Sequence, residues 1–334
     1  MSRPRVQINK PNQIDALLAH LDSHLPQFTG PPGVVGLTLN GGLARGYGDH
    51  LSEIDITFYL HSDTYQHWQQ GHAPFGVGIQ RFDGMLYDIK HVDLATEDVA
   101  TWSDDARWDA SYSQVLYDPS GKIATLLAHN EQYRPKPMDA GGVLFSAWWH
   151  YKLAGDIWIY RDDPLQAHMM LNQAVTELVK AVYMANGEFI AHEKWLIHMS
   201  RTLAWTPEHW PERLVQLLGH VSPDMENVKR RQRHISAVWQ EVDAYIVSMS
   251  DKPYPVNVTQ RFFYDLLTLL IEKQSMPLAD WQQVAGMNML NLAPFNLCVS
   301  VTEDAVVLDK DKLATLTPED LYSWYYEVVE ATRS

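Results

Sequence analysis

Between Val34 and Leu60 the chain reads VVGLTLNGGLARGYGDHLSEIDITFYL, and no other stretch limits the fold as tightly. Val34 to Leu39 is an apolar run with the length and β-branched content of a buried strand. It stops at Asn40-Gly41-Gly42, where glycine frees the backbone for a tight turn. A short segment, Leu43 to Tyr47, precedes a second strand over Ile54 to Leu60. Side chains alternate along a strand, so Glu53 and Asp55 share one face while Ile54 and Ile56 take the other.

Two carboxylates at i and i+2 repel each other unless a cation lies between them, which predicts a Mg²⁺ site at the pair. The unhindered N–H groups of the glycine turn just upstream suit a phosphate. A Gly-Gly is ordinarily only a turn, and an acidic pair is ordinarily only a solvated strand face. Here the two occur in order, with ten residues (43 to 52) between them, and the combination points to nucleotide chemistry.

These residues resemble the signature of the DNA polymerase β-type nucleotidyltransferase superfamily. That signature is Gly-Gly or Gly-Ser, then about a dozen residues, then acid-apolar-acid-apolar, and Gly41-Gly42 with Glu53-Ile54-Asp55-Ile56 is similar to it. The following Leu43-Ala44-Arg45-Gly46 looks like the Gly-Ser-x-Ala-x-Gly form of the bacterial small-molecule branch, which includes the aminoglycoside and lincosamide nucleotidyltransferases. Two positions depart from the pattern. Gly42 stands where serine is commoner, removing a hydroxyl, and Glu53 stands where aspartate is commoner, setting its carboxylate one methylene further out. The resemblance is specific from Val34 to about Val92 and architectural beyond it.

Downstream, Val77 to Phe82 and Met85 to Val92 flank Asp83-Gly84, a strong hairpin signal that adds two strands to the sheet. On the second of these, Asp88, Lys90 and Val92 share one face. The superfamily carries its third carboxylate early on a strand that follows the acidic pair, which implies Asp88. Asp93 is second, since a turn or helix-start role explains an aspartate at the strand end.

The resemblance implies an α+β fold: an N-terminal nucleotidyltransferase domain over residues 1–134, with a small mixed β-sheet flanked by helices, followed by a mainly α-helical domain over 138–334. It further implies in-line transfer of a nucleoside monophosphate, AMP from ATP, onto a hydroxyl of a small-molecule acceptor such as an antibiotic, with release of pyrophosphate. In such transfers two Mg²⁺ ions about 3.5–4 Å apart stabilise the attacking and leaving oxygens. Glu53, Asp55 and Asp88 are the implied metal ligands and catalytic residues, and Gly41, Gly42, Arg45 and Lys194 the implied nucleotide contacts. Asp88 is the first choice of general base, with Glu193 of the helical domain as the alternative. Arg45 reads as an exposed loop residue. Three other readings stand beside this one: a degenerate, non-catalytic nucleotide-binding module, a nucleotidyltransferase acting on a protein or tRNA, and an antitoxin of this fold. The long helical segment disfavours the last.

A net charge of -15, from 26 basic and 41 acidic residues, repels polyanions, so a long nucleic acid is not an expected partner, whereas a cationic acceptor is attracted. The one cysteine, Cys298, allows no intrachain disulfide and fits a reducing compartment. The N-terminal MSRPRVQINKPNQ carries no apolar leader, and no apolar run reaches about 18 residues, so the expectation is a cytoplasmic protein, monomeric or homodimeric, with no membrane partner.

Elsewhere Asn12 to Leu25 reads as an amphipathic helix ended by Pro26. His20 and His24 lie i, i+4 on it with no acidic partner of matching register nearby, and so read as a surface pair. Ala95 to Trp102, Asp105 to Ser111 and Lys122 to Asn130 read as helices, with a short strand at Gln114 to Tyr117. Tyr133 to Pro137 marks a boundary. Beyond it the predicted helices are Val143 to Tyr160, Pro164 to Asn186, His192 to Ala204, Pro207 to Leu218, Pro223 to Ser248, Val258 to Lys273 and a closing Pro318 to Ala331, with a strand at Ala305 to Leu308. The aromatics Trp148, Trp149, Trp158 and Tyr160 read as core.

Overall fold

The computed structural model describes residues 3–219, 222–249, 261–292, 295–316 and 320. The architecture is α+β, and the chain divides into two compact units, Met1–Pro135 with Gly187–Ala204 and Lys136–Asn186 with Trp205–Ser334.

The first unit is built on a five-stranded mixed sheet. Its elements in chain order are α1 (Ile14–Thr29), β1 (Val34–Leu39), the single turn α2 (Gly41–Ala44), β2 (Ile54–Leu60), α3 (Ser62–His67), β3 (Gly78–Phe82), β4 (Met85–Asp93), α4 (Asp104–Ala110), β5 (Gln114–Tyr117) and α5 (Lys122–Asn130). The strand order is β3-β4-β2-β1-β5. β2 runs parallel to β4 and antiparallel to β1, and the remaining pairs are antiparallel.

Register sorts the side chains. Ile54 pairs with Tyr87 and Ile56 with Ile89 on the apolar face, where Leu17, Leu21 and Phe28 of α1 complete a core. The intervening pairs, Asp55 with Asp88 and Thr57 with Lys90, therefore point to the opposite, polar face. Pro26 does not end α1 as the sequence predicts; the helix runs on to Thr29. Phe28, fully buried among the rings of Phe58, Phe75, Phe82 and Tyr87, and a bond from the Thr29 hydroxyl to the Leu25 carbonyl hold that last turn despite the proline. Nor does Ala95 to Trp102 form a helix. Only the short 3-10 turn Val99–Thr101 is helical there, started by the Asp98 carboxylate accepting from the Ala100 N–H.

The second unit is mainly helical: α6 (Gly141–Trp148), α7 (Gly155–Tyr160) and α8 (Pro164–Ala185) precede the return to the first unit, where α9 (Glu193–Ser200) lies. Then follow α10 (Trp210–Leu218), α11 (Met225–Ser248) and α12 (Arg261–Lys273). The predicted helix Val143 to Tyr160 is interrupted by a wide π-type segment, Trp149–Ala154, whose Tyr151 carbonyl accepts from the Gln232 amide at 2.8 Å. Trp148 is buried, but Trp149 and Tyr160 are exposed, against the core reading of both. The unit ends on β6 (Ser275–Pro277), α13 (Leu278–Val284), α14 (Phe295–Cys298), β7 (Val299–Val301), β8 (Ala305–Leu308) and α15 (Lys310–Thr315); β8 is the strand the sequence predicts, whereas β6 and β7, which pair with it, have no counterpart in the sequence pattern. Its three strands pair in the order β6-β8-β7 around Met276, Trp281, Phe295 and Val306. The predicted closing helix from Pro318 lies largely outside the described residues.

A buried polar lock fixes the end of β1. Asn40, 5% exposed, donates to Thr57 Oγ1 at 2.7 Å and accepts from the hydroxyls of Thr38 at 3.1 Å and Ser113 at 2.6 Å. Its own N–H donates to the Asp55 carbonyl at 2.9 Å. One side chain thereby ties β1, β2 and the start of β5 together just before Gly41. Asn40→Ala removes the partner of two buried hydroxyls, those of Thr38 and Thr57, and is expected to cost about 2–3 kcal/mol. Urea unfolding of the full chain checks this, and an unchanged midpoint would show that the lock carries no stability.

Candidate active site

The polar face of the sheet gathers charge around one glycine. Gly41 leaves β1 with φ +63, a left-handed conformation that side chains rarely adopt. A Cβ there would lie 1.8 Å from Oδ2 of Asp55, so the Asp55 carboxylate packs directly against the turn backbone. Gly42 is less confined: a Cβ would stand 3.2 Å from the Tyr47 carbonyl, close enough that a serine needs a shift of a few tenths of an ångström.

Asp55 and Asp88 are direct partners across β2 and β4, and Glu53 stands just before β2. The loop leading to Glu53 is held by Asp49, whose carboxylate accepts from the Leu51 N–H at 2.9 Å and from the hydroxyls of Tyr47 and Ser52. Burial, followed by the charges of Glu53, Asp109 and Asp88, pushes the Asp55 carboxyl up to about 6, and Lys90 only partly offsets this. Asp109, on α4, is an acidic neighbour that the sequence did not single out, because nothing local relates α4 to the glycine turn. Lys90 falls on the face of Asp88, as strand alternation predicts, and its register opposite Thr57 puts it beside the acids.

Two adjoining clefts open at this point. One, of about 220 Å³, is lined by residues that include Gly41, Gly42, Arg45, Glu53, Asp55 and Lys194. The other, of about 350 Å³, shares Gly41, Arg45, Asp55 and Lys194 and adds Lys90 and Asp109. Volumes of this order suit a small ligand. Lys194 comes from the first turn of α9, and although about 140 residues separate it from Asp55 in the chain, its segment packs in the same unit. Glu193 is exposed and lines neither cleft, and Asp88 sits beside Asp55 without lining either.

Two residues differ from their sequence reading. The side chain of Arg45 is 5% exposed rather than open to solvent, and its Nη1 pairs with Asp109 Oδ1 at 2.7 Å. Its guanidinium lies 4.5 Å from the Trp108 ring centroid and 5.5 Å from that of Trp195. Asp93, the second choice for a third carboxylate, accepts from the Ser62 hydroxyl at 2.9 Å and the Ala95 N–H at 3.0 Å, a turn-starting role at the end of β4.

Glu53, Asp55 and Asp88 offer hard oxygen donors of the type Mg²⁺ takes, and the upward push on Asp55 is the mark of negative charge with too little positive charge beside it. The Glu53–Asp55 pair therefore fits a divalent cation, while the carboxylates of Glu53, Asp55 and Asp88 do not all come within 4.8 Å of one another and Asp88 lines neither cleft.

No protein-family profile and no curated protein matches the chain. Among solved structures it is similar to a nucleotidyltransferase-like protein from Exiguobacterium sibiricum 255-15, with TM-score 0.38 and 10% identity over 89% of this chain and 99% of that one. So distant an overlap carries no argument, and the functional reading rests on the site.

Because folding raises the Asp55 pKa, the stability Asp55 contributes is full below about pH 4 and is lost as the pH rises through about 6. At pH 8 in EDTA, Asp55→Asn is expected to be more stable than wild type by about 1–3 kcal/mol. Added Mg²⁺ is expected to raise the melting temperature of wild type and not of the variant. Thermal melts with and without Mg²⁺ measure both effects; a variant no more stable than wild type in EDTA would contradict the crowded-carboxylate account.

Proposed function

We propose that this chain is a Mg²⁺-dependent nucleotidyltransferase that moves a nucleoside monophosphate, AMP from ATP, onto a hydroxyl of a small-molecule acceptor. The observation that carries this reading is the contact between the Gly41 turn and the Asp55 carboxylate, with Asp88 in register beside it. It joins a backbone seat for phosphate to an acidic cation site.

On this reading the N–H groups of Gly41 and Gly42 hold phosphate oxygens, and Lys194 neutralises part of the triphosphate charge. Glu53, Asp55 and Asp88 hold Mg²⁺, which, when bound, supplies charge stabilisation to the transferring phosphoryl group. Asp88, in register beside Asp55, takes the proton from the acceptor hydroxyl. Arg45 serves the nucleotide indirectly: paired with Asp109 and set between Trp108 and Trp195, it braces the cleft wall. The net charge of -15 favours a cationic acceptor, which makes aminoglycosides the first compounds to try, with lincosamides and cellular metabolites after them.

Pyrophosphate release from ATP and Mg²⁺ across that acceptor panel is the test. Asp55→Asn is expected to lower turnover by about 10²–10³-fold or more while the circular dichroism spectrum stays that of wild type, because the carboxylate acts mainly on charge in the transition state. Wild type that releases no pyrophosphate with any acceptor, together with nucleotide binding gained by Glu53→Asp combined with Gly42→Ser, would replace the enzyme with a degenerate binding module.

A further inference from the structure

Across the sheet from the acidic cleft, a second group of potential ligands meets where α1 faces the tip of the β3–β4 hairpin. His20 and His24 are neighbours on one face of α1, and their side chains are 14% and 13% exposed, not the surface pair the sequence implies. The hairpin turn supplies the acidic partner that the local sequence lacks: Asp83, held at φ +44 with Gly84 at φ +86 beside it.

Hydrogen bonds orient both imidazoles. The Ser23 hydroxyl donates to the His20 carbonyl at 2.7 Å, and His24 Nδ1 lies 2.9 Å from the same carbonyl, so the ring hydrogen of His24 sits on Nδ1. His24 Nε2 then faces Asp83 Oδ2 at 3.1 Å, the spacing of two atoms that share one cation, a proton or a metal ion. His20 Nδ1 is engaged with the Tyr87 hydroxyl at 2.8 Å, and its Nε2 is 3.2 Å from the Asp83 carbonyl, a hydrogen bond that a metal on Nε2 would replace, and 4.0 Å from Asp83 Oδ2. Metal-bound histidines characteristically have the other ring nitrogen tied to an oxygen in this way.

We propose that His20, His24 and Asp83 bind a divalent transition-metal ion of the Zn²⁺ class, with a fourth position open to water or an external ligand. The three ligand atoms already lie within 4.8 Å of one another. In a tetrahedral site with bonds of about 2.0–2.1 Å, ligand atoms stand roughly 3.3 Å apart, so the His24–Asp83 edge, at 3.1 Å, is formed and the His20–Asp83 edge, at 4.0 Å, has less than 1 Å to close. The Asp83 side chain, 72% exposed, has room to make that adjustment. Two imidazoles and one carboxylate select Zn²⁺ or Co²⁺ over Mg²⁺, which sets this site apart from the Glu53–Asp55–Asp88 group. The ion clamps α1 to the hairpin, and through His20 and Tyr87 it stiffens the strand that also carries Asp88.

The full chain, stripped of metal by chelation, is titrated with Co²⁺ and with Zn²⁺ and followed by visible absorption and calorimetry. Running the titrations in Asp55→Asn as well separates this site from the acidic cleft. The expected result is one equivalent of Co²⁺ with the intense visible bands of a nitrogen-ligated, low-coordinate ion, unchanged in Asp55→Asn. Zn²⁺ is expected to displace it and to raise the melting temperature. His24→Gln should abolish the bands, and Asp83→Gly, which removes the carboxylate and suits the left-handed backbone at that turn, should weaken binding by about tenfold or more. Absence of saturable binding by wild type, or wild-type binding by either variant, overturns the assignment.

Discussion

The parallel register of β2 against β4 is the constraint on which the candidate site depends. It sets Asp55 opposite Asp88 and, by alternation, sends Ile54, Ile56, Tyr87 and Ile89 into the core under α1. A slip of one residue would turn Asp88 into that core and Ile89 toward the cleft, so burial of the apolar face enforces the meeting of the acids on the other. The glycine turn depends on the same strand. Asn40 is bonded to the main chain of Asp55 and to the side chain of Thr57, and Gly41 then passes so close to the Asp55 carboxylate that only a residue without Cβ fits.

Energetically this is a costly arrangement. Burial and three acidic neighbours disfavour the charged form of Asp55, against one opposing lysine. Arg45, which lines both clefts, is already paired with Asp109 and lies against two indoles, so its charge is committed to the wall. An exogenous cation is the simplest means of offsetting what remains. A fold under selection for stability alone would be expected to replace such a carboxylate, and its presence argues for binding.

Much of this unit is legible from local pattern, because local chemistry decides it. The glycine turn, the acid alternation at Glu53 and Asp55, the Asp-Gly hairpin and helix α5 all follow from residues a few positions apart, and the α+β class follows from their order. The misreadings share a different cause. Pro26 is overruled by the burial of Phe28, Asp109 joins the site only because α4 folds against it, and Asp83 reaches His24 across 59 positions of sequence. Arg45 looks exposed beside glycines, yet Trp108 and Trp195, from two distant helices, enclose it. The Gly187–Ala204 segment is the largest instance: its helical period is plain, but nothing local assigns it to the first unit rather than to the helices on either side of it in the chain. Strands β6 and β7, three residues each, are too short to carry a period of their own.

The central claim is that the acids and the glycine turn together form one site for a cation and a nucleotide. Calorimetric titration of ATP into the purified chain, once with Mg²⁺ and once with EDTA, addresses it without knowledge of the acceptor. The account predicts saturable one-to-one binding that requires Mg²⁺. Equal binding in EDTA, or none in either buffer, would contradict it.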